Sequence, residues 1–572
     1  MNYIIKKIKL ILIVVVFISI NEIAITKENN LEYNKKDVKN YLLGLVNLKE
    51  NNFEKSYEYL KSVNSLKGVH ANYNTEYIRS LILLNKFDDA FAFANNIWKE
   101  DELLFEADLL LGIKHFINED YEKSKKYLAR INKVSRSNFL FEKFYGNIFL
   151  SWIAAKEKNK KESFSIIDDI PDRYDNLKQI QIAFLNSYFE TETVEITYRK
   201  IIESENYSFP RYNFFLLNYL ISKKKDFSSV FFNKKNDQNY NDHLIIRETK
   251  RFIENKQTAK INNFFNYKNP RDALGEIFYI IANMYSTEKN YRLSNFYLNI
   301  SLFLNNKFVF NKALLAENLF YLKNYKKSKK FYNEIKKIGP IYSWHASKNI
   351  STILSNIEND NEAISYLEKE FKLIPNPNHE IYYEMGNFYK KHEIYEKAIR
   401  KYTLALKTLK KDHYLIPKIL EMRGICYERN KDWINAEKDL LESLELLPDQ
   451  PYVLNYLAYT WIEKKTNIEQ SLNMLKKAVT GKEDDPYIVD SLGWAYYSLK
   501  EYNKAKKYLQ RAVELLPADP TINDHYADSL WQLDKKIQAR YFWKHVLLMD
   551  NVEQNIKDNI NQKILFGITN NL

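Results

Sequence analysis

From Pro417 onward, apolar and small residues recur with a fixed beat. Pro417, Pro451, Pro486 and Pro520 are spaced by 34, 35 and 34 residues. In the unit that begins at Pro486, Leu492, Gly493 and Tyr496 stand at positions 7, 8 and 11, and Ala505, Leu509, Ala512 and Pro517 at positions 20, 24, 27 and 32. Apolar residues three and four apart mark one face of a helix, so each unit predicts two antiparallel helices, A and B, of three to four turns. Small residues at 8 and 20 let the two backbones approach, and large residues at 4, 7, 11 and 24 fill the space around that contact. Pro at position 1 suits the first turn of helix A, where its missing N–H would be unpaired anyway; Pro at 32 stops helix B. One such pair cannot bury its apolar face alone, so neighbouring units must stack.

The same frame continues upstream. The unit from Pro417 has Gly424, Tyr427, Ala436, Leu440 and Pro448, and the unit from His379 has Gly386, Tyr389, Ala398, Tyr402 and Ala405. Units from Gly275, Val309 and Trp344 place Ala282, Ala316, Ala363, Pro340 and Pro375 at matching positions, and units from Asp37, Ala71 and Phe105 supply Gly44, Gly112, Ser56, Ala90 and Ser124. Position 17 supports the register independently. It is aromatic in eight of the eleven units: Phe53, Phe87, Tyr121, Tyr291, Tyr325, Tyr395, Trp433 and Tyr502. This pattern resembles the tetratricopeptide repeat, whose unit of about 34 residues has small residues at 8, 20 and 27 and Pro near 32. The resemblance implies an all-α fold, a right-handed superhelical solenoid of helix–turn–helix repeats.

The expected organisation is an N-terminal segment (1–26), repeats over 37–138, divergent helical repeats over 139–274 and a C-terminal array over 275–553. The divergent stretch keeps helical spacing but only fragments of the frame, enough for three units, with a polar loop near 231–243 around Phe231–Asn241. Residues 554–572 follow as a capping helix and tail, because Val552, Ile556, Ile560 and Ile564 form one stripe.

Composition narrows the picture. Only 11 of 572 residues are Gly and 12 are Pro, against about 7% and 5% in ordinary domains. Turns that need positive φ therefore look rationed, which argues against many short strands. The 44 Tyr, 34 Phe and 8 Trp supply ample core. Lys+Arg exceed Asp+Glu by 86 to 73, but the charges are interspersed as on solvated helix faces, with no basic block and no nucleic-acid signature. Cys426 is the only cysteine, so no intramolecular disulfide exists, and its place inside a repeat suits a small buried hydrophobe.

At the N-terminus, Lys6, Lys7 and Lys9 precede the apolar run Leu10–Ile20. That is a charged region followed by a hydrophobic stretch of signal-peptide length. It is either cleaved or kept as a membrane anchor, and both outcomes predict an exported chain, in the periplasm or on the periplasmic face of a membrane.

No catalytic motif accompanies the repeats. The chain lacks G-x-S-x-G, a Gly-rich phosphate loop, H-E-x-x-H and C-x-x-C, so we expect no enzyme, cofactor or metal site; a repeat-bearing glycosyltransferase is the remote alternative. The nine His residues are scattered. The surface that could bind is a stripe on the A helices, because positions 2, 5, 9 and 12 share one helix face. In the tetratricopeptide family this stripe lines a concave, peptide-binding groove. Here it reads Tyr452, Asn455 and Tyr459 in the unit at Pro451, Tyr487, Asp490, Trp494 and Tyr497 in the unit at Pro486, and Asp524, Asp528 and Trp531 in the unit at Pro520. Aromatics offer contact area at low entropy cost, Asn can pair with backbone amides, and the carboxylates favour a ligand with Lys, Arg or a free amine.

Leu454–Leu547, which contains LNYLAYTWIEKK and YIVDSLGWAYYSLKEYNKAKKYLQ, is more specific. It resembles the C-terminal end of exported proteobacterial tetratricopeptide proteins related to an outer-membrane lipoprotein. That lipoprotein is an adaptor that presents cell-wall hydrolases to a periplasmic C-terminal processing protease. The resemblance implies a scaffold or adaptor for protein segments, with such a protease or its substrates as partner; the alternative is a membrane-anchored assembly factor for envelope complexes. No lipid-accepting cysteine follows the apolar run, so outer-membrane tethering is not implied.

Overall fold

The computed structural model describes residues 34–134, 143–203, 209–228, 243–550 and 552–568. Every secondary-structure element among them is helical, as the repeat pattern requires. The N-terminal segment (1–26) and the polar stretch Phe231–Asn241 lie outside the described residues. Among the described residues, no helix is long and apolar enough to cross a membrane.

The repeat at Pro486 shows how sequence becomes structure. Helix A is Pro486–Ser498 and helix B is Tyr502–Leu515. Pro486 opens helix A, and the Asp485 carboxylate caps it by accepting from the backbone N–H of Tyr487 and Ile488 at 3.1 and 3.2 Å. Asp519 does the same for helix Pro520–Gln532, accepting from Thr521 and Ile522 at 2.9 and 3.0 Å. At the A–B contact, position 8 faces position 24: a Cβ added to Gly493 would stand 2.6 Å from Leu509 Cγ. In three units with Ser at position 20 its hydroxyl donates to the carbonyl at position 8: Ser56 to Gly44 at 2.8 Å, Ser124 to Gly112 at 2.9 Å and Ser328 to Ala316 at 2.7 Å.

The turn between A and B differs from the sequence expectation. Position 15 adopts left-handed φ in ten of the eleven units, at Asn51, Asn85, Glu119, Lys289, Lys323, Glu393, Lys431, Lys465, Lys500 and Asp534. None is Gly. Positive-φ turns are thus abundant, and the scarcity of Gly means only that Lys, Asn, Glu and Asp occupy them. Each is held by helix-end hydrogen bonds: after helix Pro486–Ser498, Lys500 N–H donates to Tyr497 O at 2.8 Å and Glu501 N–H to Tyr496 O at 2.9 Å. The same signature runs through the divergent stretch at Lys158, Glu190, Lys224 and Lys256. Phe144–Lys156 with Lys160–Asp168, and Asp175–Phe189 with Val194–Ile202, are complete helix pairs there. Tyr212–Ser222, and Leu244–Glu254 with the short Ala259–Asn262, follow, so the beat continues where the small-residue pattern fades.

The chain divides into two compact units, the first ending at Phe371 and the second beginning at Lys372. Residues 275–371 of the expected C-terminal array therefore lie in the first unit. That unit has one continuous buried cluster from Leu48 to Ala363 and closes on itself. Helix Tyr291–Leu304 packs against helix Ala71–Leu83. Phe87 stacks on Phe303 with ring centroids 3.9 Å apart, and Asn299 Nδ2 donates to Ile82 O at 3.0 Å. The interior is filled by the unit's own side chains. Tyr145, Phe278 and Tyr297 cluster with ring centroids 6.2–6.4 Å apart, and Arg211 clamps Glu276 at 2.7 and 2.9 Å while lying 3.9 Å from the Tyr279 ring centre.

The second unit stacks successive helix pairs from His379 and ends in helix Gln554–Phe566. Its largest buried cluster joins Ala458, Leu492, Leu509, Trp543 and Ile560, so the capping helix shares the core of the last repeats.

Candidate functional site

The A helices of the last repeats bring four of the ten predicted stripe residues, Asn455, Tyr459, Tyr487 and Asp490, to one cleft in the second unit. A cleft of about 540 Å³ is lined by Asn455 and Tyr459 from helix Pro451–Glu463, Tyr487 and Asp490 from helix Pro486–Ser498, and Thr521, Ile522 and His525 from helix Pro520–Gln532. Glu428, Arg429, Glu463, Lys464 and Asp519 supply its charged rim. Tyr487 is 56% exposed at its edge, whereas Asp490 is only 6% exposed. Tyr452, also exposed, stands outside the cleft lining.

Beside the cleft, aromatic rings stack in series. Trp494 lies parallel to Tyr497 with centroids 4.6 Å apart, and on its other neighbour, His525, at 4.0 Å. The indole N–H of Trp494 donates to Glu463 Oε1 at 2.8 Å. His525 Nδ1 lies 2.9 Å from Asp490 Oδ2. Burial opposes charge on this imidazole, but Asp490, reinforced by Asp524 and Asp528, outweighs it and raises the pKa above the usual histidine value. Burial, with Asp528 and Asp524 nearby, pushes the Tyr497 hydroxyl up to about 12.

Two acceptors on the cleft wall are not used by the protein. Asn455 Oδ1 and Asp490 Oδ1 are buried and receive no hydrogen bond from it. Buried acceptors of this kind are uncommon in folded proteins.

Asp524, Asp528 and Trp531 have a different employment. The ammonium of Lys563, from helix Gln554–Phe566, sits between the two carboxylates, 2.8 Å from both oxygens of Asp524 and 3.0 and 2.9 Å from those of Asp528. Trp543 Nε1 also donates to Asp528, at 3.1 Å. Burial and the neighbouring Asp524 push the Asp528 carboxyl up, while Lys563 pulls against them. Trp531 is covered by Gly567, where an added Cβ would stand 2.1 Å from the ring, and by the Arg540 guanidinium 5.0 Å from its centre. The positive φ of Gly567, 77°, lets the chain make that close approach. The last third of the predicted stripe is therefore an internal docking surface for the capping helix.

His525, Glu463, Asp519 and Lys563 are the participants that the stripe did not reveal. Their common signal is an offset of about one repeat: Trp494 to Glu463 spans 31 residues, Asp490 to His525 spans 35 and Asp528 to Lys563 spans 35. Among the described residues, no group of three or more His, Cys, Asp or Glu could hold a metal ion. Cys426 is buried, and burial pushes its thiol up to about 11, which keeps it protonated near neutrality and unsuited to nucleophilic attack.

Comparison with known proteins agrees with the repeat reading. The tetratricopeptide repeat family model matches residues 487–519, the span built here from helices Pro486–Ser498 and Tyr502–Leu515. A TPR repeat-containing protein of Pseudomonas aeruginosa is 32% identical over 99 residues, 17% of this chain and 17% of the relative. The match thus spans less than a fifth of that relative's length. Among solved structures, MamA (residues 41 to the end) from Desulfovibrio magneticus RS-1 is 18% identical, covering 32% of this chain and 99% of its own, with a TM-score of 0.28. A thermophilic TPR protein of Thermus thermophilus is 17% identical, covering 33% and 99%, with a TM-score of 0.29.

Proposed function

From the premise that the chain carries tetratricopeptide repeats, which make it a protein-interaction scaffold, we propose that it is an exported, non-enzymatic adaptor. It holds a segment of a partner protein against the A-helix surface of its second unit. The observation that supports this most is the cleft over successive A helices, which joins an aromatic edge, Tyr459 and Tyr487, with Trp494 stacked on His525 beside it, to buried acceptors that no protein donor satisfies. An extended segment offers what such a wall lacks, backbone and side-chain N–H groups at regular intervals. Export rests on the Lys6, Lys7 and Lys9 region ahead of Leu10–Ile20. The choice of a periplasmic processing protease or its substrates as partner rests on the likeness of Leu454–Leu547 to the adaptor group.

Affinity purification from envelope fractions, followed by mass spectrometry, tests the reading. Recovery of a processing protease or of its substrates is the expected outcome; recovery of cytosolic or ribosomal partners alone would overturn export. Tyr459→Ala and Trp494→Ala should lose the partner while the thermal unfolding profile stays near that of the parent. If both variants retain the partner, the cleft is not where it binds.

A further inference from the structure

We propose that the Asn455–Asp490 wall is a subsite for a primary ammonium group, the side chain of a lysine in the bound segment, and that His525 tunes it by competing for Asp490. This rests on the reading of the cleft as a binding surface and adds the chemistry of what it takes.

The unpaired acceptors point to a donor. Asp490 is nine-tenths buried, lines the cleft and receives a hydrogen bond from the protein at one oxygen, leaving Oδ1 without one. Asn455 Oδ1, on the same wall, is in the same condition. A ligand that satisfies both must bring more than one N–H donor to this wall, and an ammonium has three and no acceptor. The charge around the cleft agrees in sign: Glu428, Glu463, Asp490 and Asp519 face Arg429 and Lys464.

The repeat itself supplies a precedent. Asp490 and Asp524 are the same position, the fifth of successive A helices. Asp524, with Asp528, holds the ammonium of Lys563 at 2.8 Å. One repeat earlier the partner from the next layer is an imidazole, His525, stacked on Trp494. An imidazole can be charged or neutral, so this copy of the position can exchange its partner where the other cannot.

The competition has a definite sign. His525 faces Asp490, Asp524 and Asp528, with the Lys563 ammonium bridging the last two. Glu463 reaches the same stack through Trp494. When protonated, the imidazolium neutralises Asp490 and repels an incoming ammonium. When the imidazole is neutral it can still hydrogen-bond Asp490 Oδ2 but brings no positive charge to repel an incoming ammonium. Affinity for lysine therefore rises as pH climbs through the His525 titration, which lies above the ordinary histidine value.

The full chain titrated with acetyl-Ala-Ala-Lys-Ala-Ala-amide, and with the same peptide carrying Nε-acetyllysine, tests this through the indole N–H resonance of Trp494. The lysine peptide should shift that resonance and bind at least tenfold more tightly than the acetylated one. It should bind more tightly at pH 8.5 than at pH 6, and His525→Gln should remove that difference. Asp490→Asn should weaken binding about tenfold and Asn455→Leu by a smaller factor, so the pair remains informative if either variant folds poorly. Equal affinity for the two peptides, no binding of either, or binding unchanged in both variants would overturn the proposal. Envelope capture separates the two readings: a partner lost in Tyr459→Ala and Trp494→Ala but retained in full by Asp490→Asn would leave the cleft standing and remove the ammonium subsite.

Discussion

A left-handed backbone at a lysine is the residue-scale signature of this protein. An L-residue at positive φ costs roughly 1–2 kcal/mol relative to Gly, because Cβ crowds the following carbonyl, and the chain accepts that cost at position 15 in ten of eleven framed repeats. At Lys500, φ is 64°. Lys500→Gly should therefore raise the stability of the second unit by about 0.5–1 kcal/mol, the gain being offset in part by the greater freedom of Gly in the unfolded chain. Denaturant unfolding measures it; a loss of stability would mean that the Lys side chain makes a contribution larger than the strain. This position was not legible in the sequence for a simple reason. Its residue type varies among Asn, Glu, Lys and Asp, all ordinary on a solvated surface, and only the backbone makes them alike. Positions 8, 20 and 24 were legible because close packing narrows 8 and 20 to Gly, Ala or Ser opposite a bulky partner in most units, as at Gly493 and Leu509, with Ile78 and Gln470 the exceptions.

At the scale of the element, the capping helix does more than cover an apolar end. The stripe Val552, Ile556, Ile560 and Ile564 was visible as a hydrophobic period, and Ile560 is indeed fully buried. Lys563, between them, reads in sequence as one more solvated charge. In the structure it neutralises two carboxylates on helix Pro520–Gln532. Removing one partner of a buried ionic cluster leaves uncompensated charge and costs on the order of 3–5 kcal/mol. Lys563→Met should destabilise the second unit by about that amount, and adding Asp524→Asn and Asp528→Asn should recover a large part of it. A triple variant no more stable than Lys563→Met would show that uncompensated carboxylate charge is not what the Lys563→Met substitution costs. The stripe logic could not anticipate this, because it assigns each residue to a face of its own helix and says nothing of which neighbour arrives opposite. Asp490 shows the same limit: its place on the A-helix surface was readable, but its engagement by His525 depends on the next repeat.

At the scale of the whole molecule, the two compact units rest on separate buried clusters, so unfolding should proceed in two steps. Phe303→Ala, which removes the ring stacked on Phe87, should shift only the first-unit step, by about 3–5 kcal/mol; a single transition moved as a whole would contradict it. The repeat frame predicted that neighbours stack, and it did not predict that the first unit would meet itself, since nothing in a periodic pattern records a contact between residues so far apart. That closure has a kinetic consequence. In the second unit the principal partners of each helix are one or two helices away in sequence, so structure can spread from any nucleus by short steps. The Asn299–Ile82 hydrogen bond joins residues 217 apart. Bringing such ends together exacts a loop-closure entropy before any contact repays it. During synthesis the face of helix Ala71–Leu83 that meets helix Tyr291–Leu304 must therefore wait uncovered until the ribosome has delivered the segment around residue 300. The first unit is thus the part of this protein most dependent on protection while it is being made.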